Sequence, residues 1–133
     1  MRLLLLWLVG LAGLLAACGG APAAPTPTPD PATLGERTFV QYCVPCHGAA
    51  GEGFINALDA PALNADGESH ALTDAAILAA IIDGGAASGG NMAPLGDALS
   101  AEQEAAVLEF VHSLWSDEQR LAHEDAGGHT PGQ

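Results

Sequence analysis

The hydrophobic pattern divides the chain into zones before any composition is counted. Leu3 to Leu15 is almost unbroken apolar sequence behind a single charge, Arg2, and it runs into Leu15-Ala16-Ala17-Cys18. A charged start, an apolar stretch and small residues before a cut read as an export signal over residues 1–17. The apolar stretch is shorter than the roughly 20 residues of a membrane-spanning helix. Residues 18–31 carry no apolar period and are rich in proline. They read as a linker that, at about 3.1 Å per residue in polyproline geometry, reaches up to roughly 40 Å.

Helical periodicity then appears three times. A first helix is expected from about Ala32 to Tyr42, with Leu34, Thr38 and the Phe39/Tyr42 pair on one side. A second follows Thr73, whose hydroxyl suits an N-cap; Ile77, Leu78, Ile81 and Ile82 are its apolar positions, and Gly84-Gly85 stops it. A third follows Ser100, with Gln103 placed for a capping box and Val107, Phe110, Val111 and Leu114 at i, i+3, i+4, i+7. Between Gly48 and Leu72 only Gly, Pro, Asn and Asp punctuation is visible, and nothing reads as paired strands. The class is all-α with long loops. The folded domain is expected over residues 32–116, and residues 117–133 read as an acidic, flexible tail of frayed helix and then disorder.

Length and charge narrow the function. The 133 residues suit one domain with appendages. Once the signal is cut, Arg37 and Arg120 are the only cationic side chains besides histidine, against 16 acidic ones. Nucleic acid and anionic lipid surfaces both require cationic contacts, so neither is an expected partner. The acidity fits a partner protein with a basic docking face, or it serves only solubility.

The chemistry lies in Cys43-Val44-Pro45-Cys46-His47, a C-x-x-C-H run. Two thiols at this spacing reach two carbons on the edge of one macrocycle, and the histidine that follows is placed to bind its iron. This is the haem c attachment pattern. A structural zinc site requires further ligands, and the chain has no second cysteine pair. A thioredoxin-like dithiol requires a strand before the motif, where this chain carries a helical pattern. If Cys43 and Cys46 hold haem and Cys18 carries lipid, all three cysteines are accounted for without a disulfide.

Two resemblances follow. Leu15-Ala16-Ala17-Cys18 resembles the lipobox of bacterial lipoproteins, which implies a diacylglyceryl thioether on Cys18 and an exported protein held at the outer face of the cytoplasmic membrane. From residue 32 to about 116 the chain resembles a monohaem class I cytochrome c. Gly35-Glu36-Arg37-Thr38-Phe39 looks like that family's first helix, Cys46-His47-Gly48-Ala49-Ala50-Gly51-Glu52-Gly53 like its haem-binding turn, and Ala60-Pro61-Ala62-Leu63 like the Pro-x-Leu beyond. The resemblance implies a small cytochrome c fold of about three to five helices wrapped around one covalent haem. It implies His47 as one axial ligand and the Pro61 carbonyl as acceptor for its other nitrogen. It implies Met92 as the second axial ligand, in Gly89-Gly90-Asn91-Met92-Ala93-Pro94-Leu95-Gly96, where many relatives have Met-Pro. It implies that Phe39 packs on Phe110 where the first and last helices cross.

His70 is the rival sixth ligand, though a solvated place near a helix start suits it better. His112 reads as surface, and His123 and His129 as residues of the tail. Trp115 reads as a packing cap, and Phe54 and Ile55 as a weak shield for haem. Iron with two strong axial ligands has no open position, which favours outer-sphere electron transfer over catalysis. The expected role is an electron carrier, not an enzyme. It would shuttle between a membrane quinol-oxidising complex and a terminal oxidase or photosynthetic reaction centre. The alternatives are a fixed haem c subunit of an oxidase or dehydrogenase complex and a ligand-binding or peroxidatic haem protein.

Overall fold

A computed structural model describes residues 29–54 and 59–128. The expectations for the export signal, Cys18, the linker up to residue 28, Ile55 and His129 lie outside the described residues.

Helix α1 spans Pro31–Thr38. Asp30 caps it by accepting from the Thr33 backbone N–H at 3.1 Å, and Pro31 fills the first turn, where a missing N–H costs nothing. The helix was expected to stop near Tyr42. Instead Phe39–Cys43 continues as a π-helical turn and leads into α2, Val44–His47. Pro45 supplies the reason. Inside a regular helix its ring would collide with the carbonyl four residues back, and the wider turn relieves that collision. Gly48, at φ 81°, then ends the run with its N–H on the Val44 carbonyl.

Helix α3 spans Asp74–Asp83 behind the expected Thr73 cap and stops at Gly84. Helix α4 spans Ala101–Ser113, and both hydrogen bonds of the Ser100/Gln103 capping box are formed. A further helix, α5, covers Asp117–Asp125. Where frayed helix and then disorder were expected, this stretch is a capped helix packed on the domain. Ser116 and Gln119 form a second capping box, and Gln119 also donates to the Ala65 carbonyl at 3.1 Å, which ties α5 to the preceding loop. Among the described residues the only strand-like pairing is an isolated antiparallel bridge, Phe54 with Ala60. No described helix is long and apolar enough to cross a membrane.

The core forms where α1 crosses α4. A Cβ on Gly35 would lie 2.2 Å from the Ala106 carbonyl oxygen, so glycine is what lets the two backbones approach. One turn on, the Phe39 and Phe110 rings meet with centroids 5.0 Å apart, as the resemblance implied. Phe39, Ile77, Ile81, Leu99, Val107, Leu108, Val111 and Trp115 fill one hydrophobic cluster that also includes Cys43. Burying large apolar side chains contributes about 1.5–3 kcal/mol each, which is how so short a chain holds its helices together.

Candidate haem-attachment site

The π-helical turn and α2 together present the C-x-x-C-H residues. Cys43 faces the core and is buried, while Cys46 is exposed, and neither is in a disulfide. Burial, reinforced by nearby Cys46, pushes the Cys43 thiol up to about 11, so at neutral pH it stays a neutral thiol.

His47 is buried, and its Nδ1 donates to the Pro61 carbonyl at 2.9 Å. A carbonyl only accepts, so Nδ1 carries the proton and Nε2 keeps its lone pair for a metal. The loop between them is shaped by glycines. Gly53, at φ 76°, donates to the His47 carbonyl at 2.7 Å, and a Cβ there would lie 2.7 Å from the Ala62 nitrogen. The Gly51 carbonyl accepts from Leu63 and Asn64. These bonds tie residues 51 and 53 to His47 and to Leu63 and Asn64, beside Pro61. Phe54 pairs through its backbone with Ala60, but its side chain is 42% exposed.

A second loop leads away from α3. Gly84 and Gly85 leave no room for side chains: a Cβ on Gly84 would lie 2.7 Å from the Met92 carbonyl oxygen, and one on Gly85 3.2 Å from the Met92 Cβ. Gly85 N–H donates to the Met92 carbonyl at 2.9 Å, and Leu95 N–H to the Ile81 carbonyl at 2.9 Å. Met92 is thereby pinned, half-buried, against the cluster that includes Cys43.

These residues suit haem c. Two thiols three residues apart on one curled segment, followed by a histidine with its coordinating nitrogen defined by a carbonyl, are the donor set the group takes.

The other histidines gather elsewhere. His70 lies edge-on to Trp115, with centroids 6.3 Å apart, and its carbonyl accepts from His123. His112 was expected on the surface, yet its side chain is only 12% exposed and its Nε2 stands 2.9 Å from Asp74 Oδ1. His123 was expected in a tail and is buried. Trp115 caps the core as expected and donates to Ser69 Oγ at 2.9 Å. Sequence reasoning missed Asp74, buried in the first turn of α3. The available signal was Ser116-x-x-Gln119, which marks the helix that carries His123 inward.

A helical domain with this site is a c-type cytochrome domain. The family model described as cytochrome c oxidase, cbb3-type, subunit III matches residues 30–111, more than half of the chain, and the chain belongs to that family. No curated protein and no solved structure matches. The domain binds haem c covalently, Cys43, Cys46 and His47 fit its motif, and it serves as an electron carrier or oxidase subunit working with redox partners. Domains of this kind are typically carriers rather than enzymes.

Proposed function

We propose that the chain is a lipid-tethered, non-enzymatic electron shuttle at the outer, periplasmic face of the cytoplasmic membrane, with Cys43 and Cys46 holding haem and His47 and Met92 as axial ligands. The observation that carries the reading is the 2.9 Å bond from His47 Nδ1 to the Pro61 carbonyl, which leaves Nε2 as the coordinating nitrogen. When bound, haem c supplies a one-electron Fe(III)/Fe(II) couple whose potential rises with a thioether opposite histidine. The chain's own residues do the rest. Cys43 and Cys46 fix the group to the backbone, Pro61 orients His47, and the Gly84–Leu95 contacts hold Met92 in a fixed loop. Lipid on Cys18 accounts for the third cysteine, and a proline-rich linker suits a domain that swings between partners. A quinol-oxidising donor complex and a terminal oxidase or reaction centre acceptor are the proposed partners.

A second reading is favoured by the family's description as an oxidase subunit: the domain stays fixed within such a complex. Fixed stoichiometry after detergent extraction supports that reading, and its absence supports the shuttle.

The visible spectrum of the haem-loaded protein tests the ligand assignment. The oxidised form should show the weak far-red band of sulfur bound to ferric haem, and Met92→Ala should abolish it. A band that survives Met92→Ala, or that never appears, removes Met92 as a ligand. Carbon monoxide binding to the reduced wild-type protein would turn the reading toward a ligand-binding or peroxidatic role.

A further inference from the structure

We propose that Asp74, His112 and His123 form a binding site for a divalent ion of the zinc class, which staples α5 onto the cytochrome domain. The three ligand atoms lie within 4.8 Å of one another. Asp74 Oδ1 stands 2.9 Å from His112 Nε2 and 3.0 Å from His123 Nε2. Ligands about 2.0–2.1 Å from a tetrahedral zinc ion are separated by roughly 3.3 Å, so these two edges need open by only a few tenths of an ångström.

The surroundings are built for a cation. His123 Nδ1 faces the His70 carbonyl at 3.0 Å. That carbonyl requires the proton on Nδ1 and leaves Nε2 as the coordinating nitrogen, the outer hydrogen bond that metal-binding histidines use. Asp74 is in the first turn of α3, while His112 and His123 are in the last turns of α4 and α5. The negative ends of α4 and α5 therefore meet the positive end of α3 at the carboxylate, and the first two favour a cation beside it. Gly128 closes the back of the site. A Cβ there would lie 2.4 Å from the His123 ring, and the Gly128 carbonyl accepts from Asp74 N–H at 3.0 Å.

The donor set selects the ion. Two imidazoles and one carboxylate suit zinc, whereas calcium and magnesium take oxygen ligands. The two imidazoles line a cleft of about 260 Å³ together with Glu109, Trp115, Arg120 and Glu124. His123 lies on α5, beyond residue 111, where the family match ends. A ligating nitrogen must carry no proton, so acid competes with the metal.

The test uses untagged, haem-loaded full chain, stripped with chelator and dialysed against micromolar zinc chloride, with zinc counted by elemental analysis separately from haem iron. The expected result is one zinc retained per chain, with imidazole ligands in the zinc X-ray absorption edge. His112→Gln and His123→Gln should each weaken binding by more than about a hundredfold, beyond what loss of an outer hydrogen bond costs. His112→Gln decides the matter, because α4 keeps its capping box and buried stripe without that imidazole, and an unchanged haem spectrum checks that the domain is folded. Wild-type protein that retains no zinc, or His112→Gln and His123→Gln proteins that retain it like wild type, would overturn the proposal.

Discussion

The haem-attachment region and the Asp74–His112–His123 cluster both bring histidine nitrogen and buried carbon together, yet they are built in opposite ways. The first is contiguous: Cys43, Cys46 and His47 follow one another, and the nearby Pro61 carbonyl reaches back 14 residues to His47. Glycines do the shaping, at Gly48 and Gly53 beside His47 and at Gly84 and Gly85 beside Met92. The second is assembled from the ends of three helices, with His123 meeting Asp74 across 49 residues of sequence. A site made by local turns survives changes elsewhere so long as the turns form. A site made by converging helices depends on how each helix docks. The two regions should therefore fail separately, except at the crossing that both need.

That crossing gives the largest expected effect. Gly35→Ala places a methyl 2.2 Å from the Ala106 carbonyl oxygen, a backbone atom that moves only if α1 and α4 separate. A loss of about 3 kcal/mol is expected in denaturant unfolding. Both regions should suffer together, with the haem spectrum and the protection of α5 amides lost in one transition. Unfolding of one region well before the other would break the idea of a shared crossing.

Two further glycines separate the regions. Gly53→Ala combines a φ of 76° with a contact of 2.7 Å to the Ala62 nitrogen, and Gly128→Ala drives a methyl into the His123 ring. Each should cost about 2 kcal/mol. The Gly53 change should perturb the haem spectrum and leave α5 docked, because it pulls Pro61 from His47. The Gly128 change should raise hydrogen exchange in α5 and leave the haem spectrum intact. The same response from both variants would show that the regions are coupled.

Helix capping gives a smaller effect. Ser116→Ala removes one side of the second capping box and should cost about 1 kcal/mol, seen as local opening of α5 in hydrogen exchange. Ser100→Ala should cost a similar amount. Its effect should reach global unfolding instead, since α4 carries Val107 and Val111 in the core.

The same division decides what could be read from sequence. Helices α3 and α4 were legible because cap, apolar stripe and stop signal agree in each, and the C-x-x-C-H run carries its chemistry in adjacent residues. The π-helical turn was not, since its cause is the steric demand of Pro45 within a helix that otherwise continues. The docking of α5 was hidden by composition. Asp117, Glu118, Glu124 and Asp125 resemble a solvated tail, and only tertiary contact buries His123 among them. His112 faces outward relative to the apolar stripe of α4, yet that face is covered by Asp74, Trp115 and His123, which no periodicity reveals.

The smallest expected effect is a slope of stability with pH, and it belongs to one region alone. Burial depresses the His112 pKa from its ordinary 6.5, and neighbouring His123 acts in the same direction, while Asp74 and Glu109 oppose both. The unfolded chain then binds a proton as the pH drops through 6.5, and the folded chain binds it only at lower pH. His112 therefore contributes its full stability above 6.5, and the contribution falls away as acid is added until the folded value is passed. Denaturant midpoints measured with chelator present, from about pH 8 down to about pH 5, should fall on the acid side in wild type. The fall should be shallower in His112→Gln and unchanged in Gly53→Ala, whose lesion lies in the other region. An equal slope in wild type and His112→Gln would assign the acid sensitivity elsewhere and remove the cluster's claim to a protonation chemistry of its own.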